Sequence, residues 1–254
     1  MTAALALALL LAVLIGLSLG TLGSGGSIVT MPVLVYVAGI PAHDAVGMSL
    51  VIVGTTAAAG SVLPARRDGI EARVAAIFAA TGAVGAYGGA KLTHLVSGDT
   101  LMAIFAGLML LAGWRMLAQG AAASSRRECS VTECTGIGLA VGVLTGFLGV
   151  GGGFLIVPAL VLAAGLDMKR AVPTSLAIIA CNAAGGFVGQ LRYAAIDWAL
   201  TAAFLAFALA GMAGGSFVAR RVTAGGLKRT FAWAVLALGA AILGHQVLSR
   251  LGPA

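Results

Sequence analysis

"LTGFLGVGGGFLIVPALV" (Leu144–Val161) sets five glycines and a proline, Gly146, Gly149, Gly151, Gly152, Gly153 and Pro158, inside an otherwise apolar run. A chain that interrupts its own backbone there does so twice, because "LSLGTLGSGGSIVTMPVLV" (Leu17–Val35) says nearly the same thing. Sliding the first stretch onto the second by 126 positions, Pro32 onto Pro158, keeps the two halves in step far downstream. Gly20, Leu22, Gly23, Gly25 and Gly26 fall on Gly146, Leu148, Gly149, Gly151 and Gly152; Gly39 falls on Gly165, Ser49-Leu50 on Ser175-Leu176, Arg66 on Arg192. Gly85, Gly88 and Gly89 fall on Gly211, Gly214 and Gly215. Chance apolar similarity does not hold glycines, serines and arginines in register for so long. The chain is an internal duplication.

Composition names its solvent. Hydrophobic residues make up 60% of the 254, charged residues only 9%, and the mean hydropathy is +1.08. Soluble domains carry about 25% charged residues, so this chain is built for a bilayer. Its apolar segments are continuous rather than alternating, which argues helices and not a β-barrel. The reading is an all-α polytopic membrane protein of two inverted repeats, each with about five helical segments. Residues 1–118 form the first repeat, 119–133 ("QGAAASSRRECSVTE") a polar linker, and 134–254 the second repeat. The second segment of each half, Ile28–Ile40 and Phe154–Leu166, is short for a crossing. It is expected to be a broken or re-entrant helix, which leaves six to ten true crossings.

Five segments is an odd number, so the second half enters the membrane from the opposite side. The basic residues support this. Alternating sides at each segment puts Arg66, Arg67, Arg73, Arg115, Arg126, Arg127, Lys169, Arg170, Arg220, Arg221, Lys228 and Arg229 on one face. Only Lys91, Arg192 and Arg250 fall on the other. The positive-inside rule makes the rich face cytoplasmic, with linker 119–133 there and both termini outside. The net charge of +7 is therefore an orientation signal, not a nucleic-acid footprint. Three cysteines, Cys129, Cys134 and Cys181, show neither paired nor metal spacing.

Adjacent glycines admit backbone shapes that other residues resist. Each glycine stretch is followed at once by a short helix, whose first N–H groups are unpaired and carry partial positive charge. Unpaired backbone within a bilayer is tolerated only inside protein or along a cavity. Two such helix starts, brought together by the repeat symmetry, make an anion site near the midplane. Gly23, Ser24, Gly25, Gly26 and Ser27 belong to the first, Gly149, Gly151, Gly152 and Gly153 to the second. The third segments, "AVGMSLVIVGTTAAAG" and "AVPTSLAIIACNAAGG", add Ser49, Thr55, Thr56, Thr174, Ser175, Cys181 and Asn182. Ser49 matches Ser175, Thr55 matches Cys181, and Thr56 matches Asn182 across the repeat. Plainer readings stand beside these: an interhelical hydrogen bond for Asn182, a small apolar filler for Cys181, a helix-start cap after Pro173 for Thr174 and Ser175. Gly85-x-x-Gly88 and Gly211-x-x-Gly214 read as helix packing, and His43, His94 and His245 as interfacial.

All eight acids lie near segment ends, whereas a cation carrier usually keeps one at depth. "GVGGGFLI" lacks the Gly-Lys-Ser/Thr of a P-loop and follows no soluble strand, so nucleotide binding fails. Ser24 has no histidine at helix depth to activate it, which argues against an enzyme. No cofactor and no metal are implied.

"GFLGVGGGFLIVPALV" followed by "RAVPTSLAIIACNAAGGFVG", with the degenerate first copy "GTLGSGGSIVTMPVLV" and "AVGMSLVIVGTTAAAG", resembles the TauE/SafE family of sulfite and organosulfonate exporters. The first copy departs in having Ser24 and Ser27 where the second has Val150 and Gly153, and Met48 where it has Thr174. The resemblance implies an integral inner-membrane permease for a small sulfur-containing or carboxylated anion. The expected function is a secondary exporter of sulfite or a sulfonate such as sulfoacetate. Its expected partners are that anion and the bilayer, with homodimerisation left open. An importer of a related anion and a non-transporting scaffold are the alternatives.

Overall fold

In the computed structural model the described residues are 3–22, 25–65, 70–118, 130–149, 151–219, 233 and 235–244. Among them every regular element is helical. In order they are α1 (Ala3–Leu22), α2 (Gly25–Pro32, prolonged by a wider turn over Val33–Val37), α3 (Ala42–Ala65), α4 (Ala72–Leu92), α5 (Gly98–Ala118), α6 (Val131–Leu148), α7 (Gly153–Leu162), α8 (Met168–Gln190) and α9 (Trp198–Ala219). A further apolar helix, α10, covers Val235–Gly244. A helix satisfies its own amides, which lipid cannot do. Helices α3, α6, α8 and α9 contain spans long and apolar enough to cross a membrane by length and composition. Helices α1, α4 and α5 run 20, 21 and 21 residues. The chain is a polytopic all-helical membrane protein.

The duplication is visible in the packing. Helix α4 of the first half lies along α6 of the second, α9 of the second lies along α1 of the first, and α3 crosses α8. The crossings repeat residue for residue. A Cβ on Gly85 would collide with the Leu139 carbonyl and one on Gly89 with the Val143 carbonyl; 126 positions on, Gly211 faces the Val13 carbonyl and Gly215 the Leu17 carbonyl. Gly142 against Gly82 likewise answers Gly16 against Ala208. Repeat-matched glycines thus meet repeat-matched backbone.

The contact motif differs from the sequence expectation in one position. Gly88 and Gly214 face open space, while Gly89 and Gly215 meet the neighbouring backbone. Residues four apart share a helix face, so the pair that lets α4 and α9 approach their partners is Gly85 with Gly89 and Gly211 with Gly215. Gly89→Leu or Gly215→Leu is therefore expected to cost a large share of folded protein, read as loss of the monodisperse peak in detergent size exclusion. Gly88→Ala and Gly214→Ala are expected to leave that peak unchanged.

The short helices end alike. Gly39 and Gly165 adopt φ of +72° and +66°, the left-handed region that favours glycine. Ile40 N–H donates to the Leu34 carbonyl (2.9 Å), and Leu166 N–H to the Leu160 carbonyl (3.0 Å). Helix α6 opens with a reciprocal cap between Ser130 and Glu133. The cap of α8 is Asp167, whose side chain accepts from Arg170 N–H at 3.0 Å. Pro173, Thr174 and Ser175 lie inside α8, so they are not its start: the acidic cap Asp167, seven residues upstream of Thr174, already satisfies the first turn. Cys134 is disulfide-bonded, where the cysteine spacing had suggested no disulfide framework.

The two ends of α3, α4 and α8 differ chemically. At one, Arg170 pairs with Glu71 at 3.6 Å, and Glu71 N–H donates to the Thr174 hydroxyl at 3.2 Å. At the other, His94 and Gln190 join at 2.9 Å.

Candidate anion site at the helix breaks

Between α6 and α7 the backbone turns through three left-handed glycines, Gly149, Gly151 and Gly152, at φ +67°, +66° and +66°. Gly149 closes α6, and Gly152 opens α7 with no side-chain cap. The first amides of α7 consequently lack the partner that a serine or aspartate would supply. This break faces protein, not lipid. Gly149, Gly151, Gly152 and Gly153 are buried. A Cβ on Gly149 would strike Val46 of α3; one on Gly151 would meet both Val53 of α3 and Ile179 of α8.

That last contact places the break. Val53 and Ile179 are repeat partners, 126 positions apart, and stand near the midpoints of α3 and α8. Gly151 thus lies against the middles of both α3 and α8. Helix α7 also contacts α2, its counterpart. In the first half Gly25 begins α2, Gly26 is buried against the Ile15 carbonyl and Leu19, and Ser27 is fully buried. Gly23 and Ser24 lie outside the described residues.

The hydroxyls divide into groups. Ser49 is buried and donates to the Gly149 carbonyl, tying α3 to the break. Ser175, its repeat partner, is buried and donates to the Val172 carbonyl at 2.8 Å. Thr56 is buried and donates to the Ile52 carbonyl at 2.7 Å. Thr174 is buried but serves Glu71 at the end away from the break. Thr55 and Cys181 are exposed at the α3–α8 crossing, Cys181 as a free thiol. The structure therefore gathers Ser49 with Gly149, Gly151, Gly152 and Gly153, and leaves Thr174, Thr55 and Cys181 outside that group.

Asn182 stands one turn from Ile179. It is 1% exposed, faces Gly82 of α4, and its Oδ1 has no hydrogen-bond partner. A buried acceptor left unpaired costs about 1–3 kcal/mol, and native proteins keep few of them. One residue near the break escaped the sequence reading. Thr145 Oγ1 lies directly against Gly152 and donates to the Val141 carbonyl at 2.7 Å. Its repeat partner is Leu19, so the repeat offered no matching hydroxyl to mark it.

Comparison with known proteins bears on this arrangement. The model of the family described as "Sulfite exporter TauE/SafE" matches residues 8–242. The chain belongs to the TauE/SafE family. Relatives include a "Probable membrane transporter protein" of Xylella fastidiosa (strain Temecula1), 34% identical with 89% of each chain covered. "Probable membrane transporter protein YdhB" of Bacillus subtilis is 29% identical, with 85% of this chain and 89% of the relative covered. "Probable membrane transporter protein MJ0441" of Methanocaldococcus jannaschii is 28% identical, with 71% and 72% covered. No solved structure matches. As a TauE/SafE member the chain is a multi-pass membrane transporter and not an enzyme.

Proposed function

We propose that this TauE/SafE transporter exports a small sulfur-containing anion, sulfite or a sulfonate such as sulfoacetate, across the bacterial inner membrane by alternating access between two inverted repeats. The observation that carries the reading is the position of the break: an uncapped helix start, buried, beside the midpoints of two helices whose sequences match across the repeat. Amide donors there attract negative charge without any lysine or arginine at depth. The described acids support an anion over a cation. Asp44, Glu71, Asp99, Glu133, Asp167 and Asp197 all stand at or beside helix starts, where they complement helix dipoles. The substrate-facing set we assign is Gly25, Gly26, Ser27, Ser49, Gly149, Gly151, Gly152, Gly153 and Asn182, with Thr145 added.

Counterflow of labelled sulfite and sulfoacetate in proteoliposomes tests this directly. Saturable flux of one of them that is absent from empty vesicles supports the reading; flux of neither refutes the substrate class. Orientation has its own check. In a cysteine-free background, Arg126→Cys and Arg250→Cys are expected to react with an impermeant maleimide from opposite faces, Arg250→Cys from outside. Labelling of both from one face would remove the inverted arrangement.

A further inference from the structure

At the end of the bundle away from Glu71 and Arg170, three parts of the chain converge: the start of α3, the end of α4 with the short turn Thr93–Leu95, and the end of α8 with its following turn. Gln190 is fully buried there. Its Oε1 lies 2.9 Å from His94 Nε2, while its Nε2, an amide donor, has no partner. An amide oxygen only accepts, so His94 Nε2 carries the proton and Nδ1 is left open. His43 Nε2 donates in the same sense to the Val96 carbonyl at 3.1 Å. The two imidazoles stack at 5.7 Å between centroids, and Tyr193 lies 4.2 Å from His94. Lys91 stands 4.2 Å above the Tyr87 ring.

Lys91 and Arg192 are two of the three basic residues that the charge pattern assigns to the outer face. The acids at this end are Asp44, Asp99 and Asp197. Asp44 accepts from Ala195 N–H at 2.8 Å, and Asp197 caps α9 through Leu200 N–H at 3.0 Å. What remains is a buried unpaired amide donor on Gln190, held by its oxygen to one member of the imidazole pair, with Lys91 three residues before His94 and Arg192 two residues after Gln190. We propose that His43, His94 and Gln190, with Lys91 and Arg192 at the rim, form a second oxyanion site at the outer mouth, distinct from the midplane breaks. Its ligand is a small anion with several acceptor oxygens, such as a sulfonate. Val46, which touches Gly149, lies one turn from His43 along α3, so the site lies on the outer approach to the break.

The proposal rests on the anion reading of the transport path, and the test separates the two. Methanesulfonate is titrated calorimetrically into the full chain in neutral maltoside micelles. The expected result is a saturable binding component. It survives Asn182→Leu and weakens about tenfold in Gln190→Leu. Equal affinity in wild type and Gln190→Leu overturns the site, as does loss of all binding in Asn182→Leu, which would put the ligand at the midplane. His94-dependent binding of short-chain phosphatidylglycerol with no methanesulfonate binding reassigns the donors to lipid head groups and also overturns it. Sulfonate flux without this binding component fails this site alone; absence of both fails the transport reading too.

Discussion

Gly152→Ala is expected to reduce sulfite or sulfonate flux by at least tenfold while the protein still inserts and purifies. Two effects combine. The residue sits at φ +66°, and its added Cβ would fall onto Thr145 Oγ1. A left-handed alanine costs about 1–2 kcal/mol, and the overlap forces either α7 or the end of α6 to shift. Because Gly152 is the residue that leads into α7 and offers it no side-chain cap, a shift there moves the amide donors themselves. The measurement is initial counterflow rate per reconstituted protein, with elution volume as the folding control. A compensating change sharpens it. Thr145→Gly removes the colliding hydroxyl and leaves only the backbone penalty, so Gly152→Ala with Thr145→Gly should recover part of the flux. Full flux in the single Gly152→Ala variant would deny this turn a place in transport. Gly152→Leu should be worse than alanine, since its longer side chain has no space against α6.

Much of this geometry was legible before any coordinates, because glycine reports on backbone and backbone repeats with the duplication. Gly39 and Gly165 share a register position and share a left-handed conformation. Gly85 and Gly211 match in sequence and meet matching carbonyls, Leu139 and Val13. Choosing between Gly88 and Gly89 as the second contact needed the helix face, which small-residue spacing alone does not fix when three glycines crowd together. Side chains were harder. Ser49 and Thr174 looked alike as hydroxyls in the third segments, yet Ser49 ties down the break and Thr174 holds Glu71 at the far end. Nothing local distinguishes them, because each partner comes from more than a hundred residues away, or close to it. The histidine cluster was hidden for the same reason. His43, His94 and Gln190 belong to three elements whose ends meet only after α3, α4 and α8 have packed.

Asn182 carries the second large effect, and it separates function from stability. Its Oδ1 is buried and unpaired, whereas the matching Thr56 satisfies its hydroxyl on the Ile52 carbonyl. An asparagine kept only to hold helices together would have its acceptor engaged. Asn182→Leu removes the unpaired acceptor at similar volume, so thermal stability in detergent is expected to stay level or rise. Flux is expected to fall by at least tenfold, since a group that receives the substrate has gone. Gly82→Ala approaches the same point from α4: its Cβ would press on the Asn182 amide and turn it aside, so flux should fall there too while Asn182 remains. A purely structural asparagine predicts the reverse, with Asn182→Leu less stable and the flux of whatever folds unchanged. Stability and rate thus move in opposite directions under one reading and together under the other. A melting curve and a transport rate on Asn182→Leu are enough to decide between them.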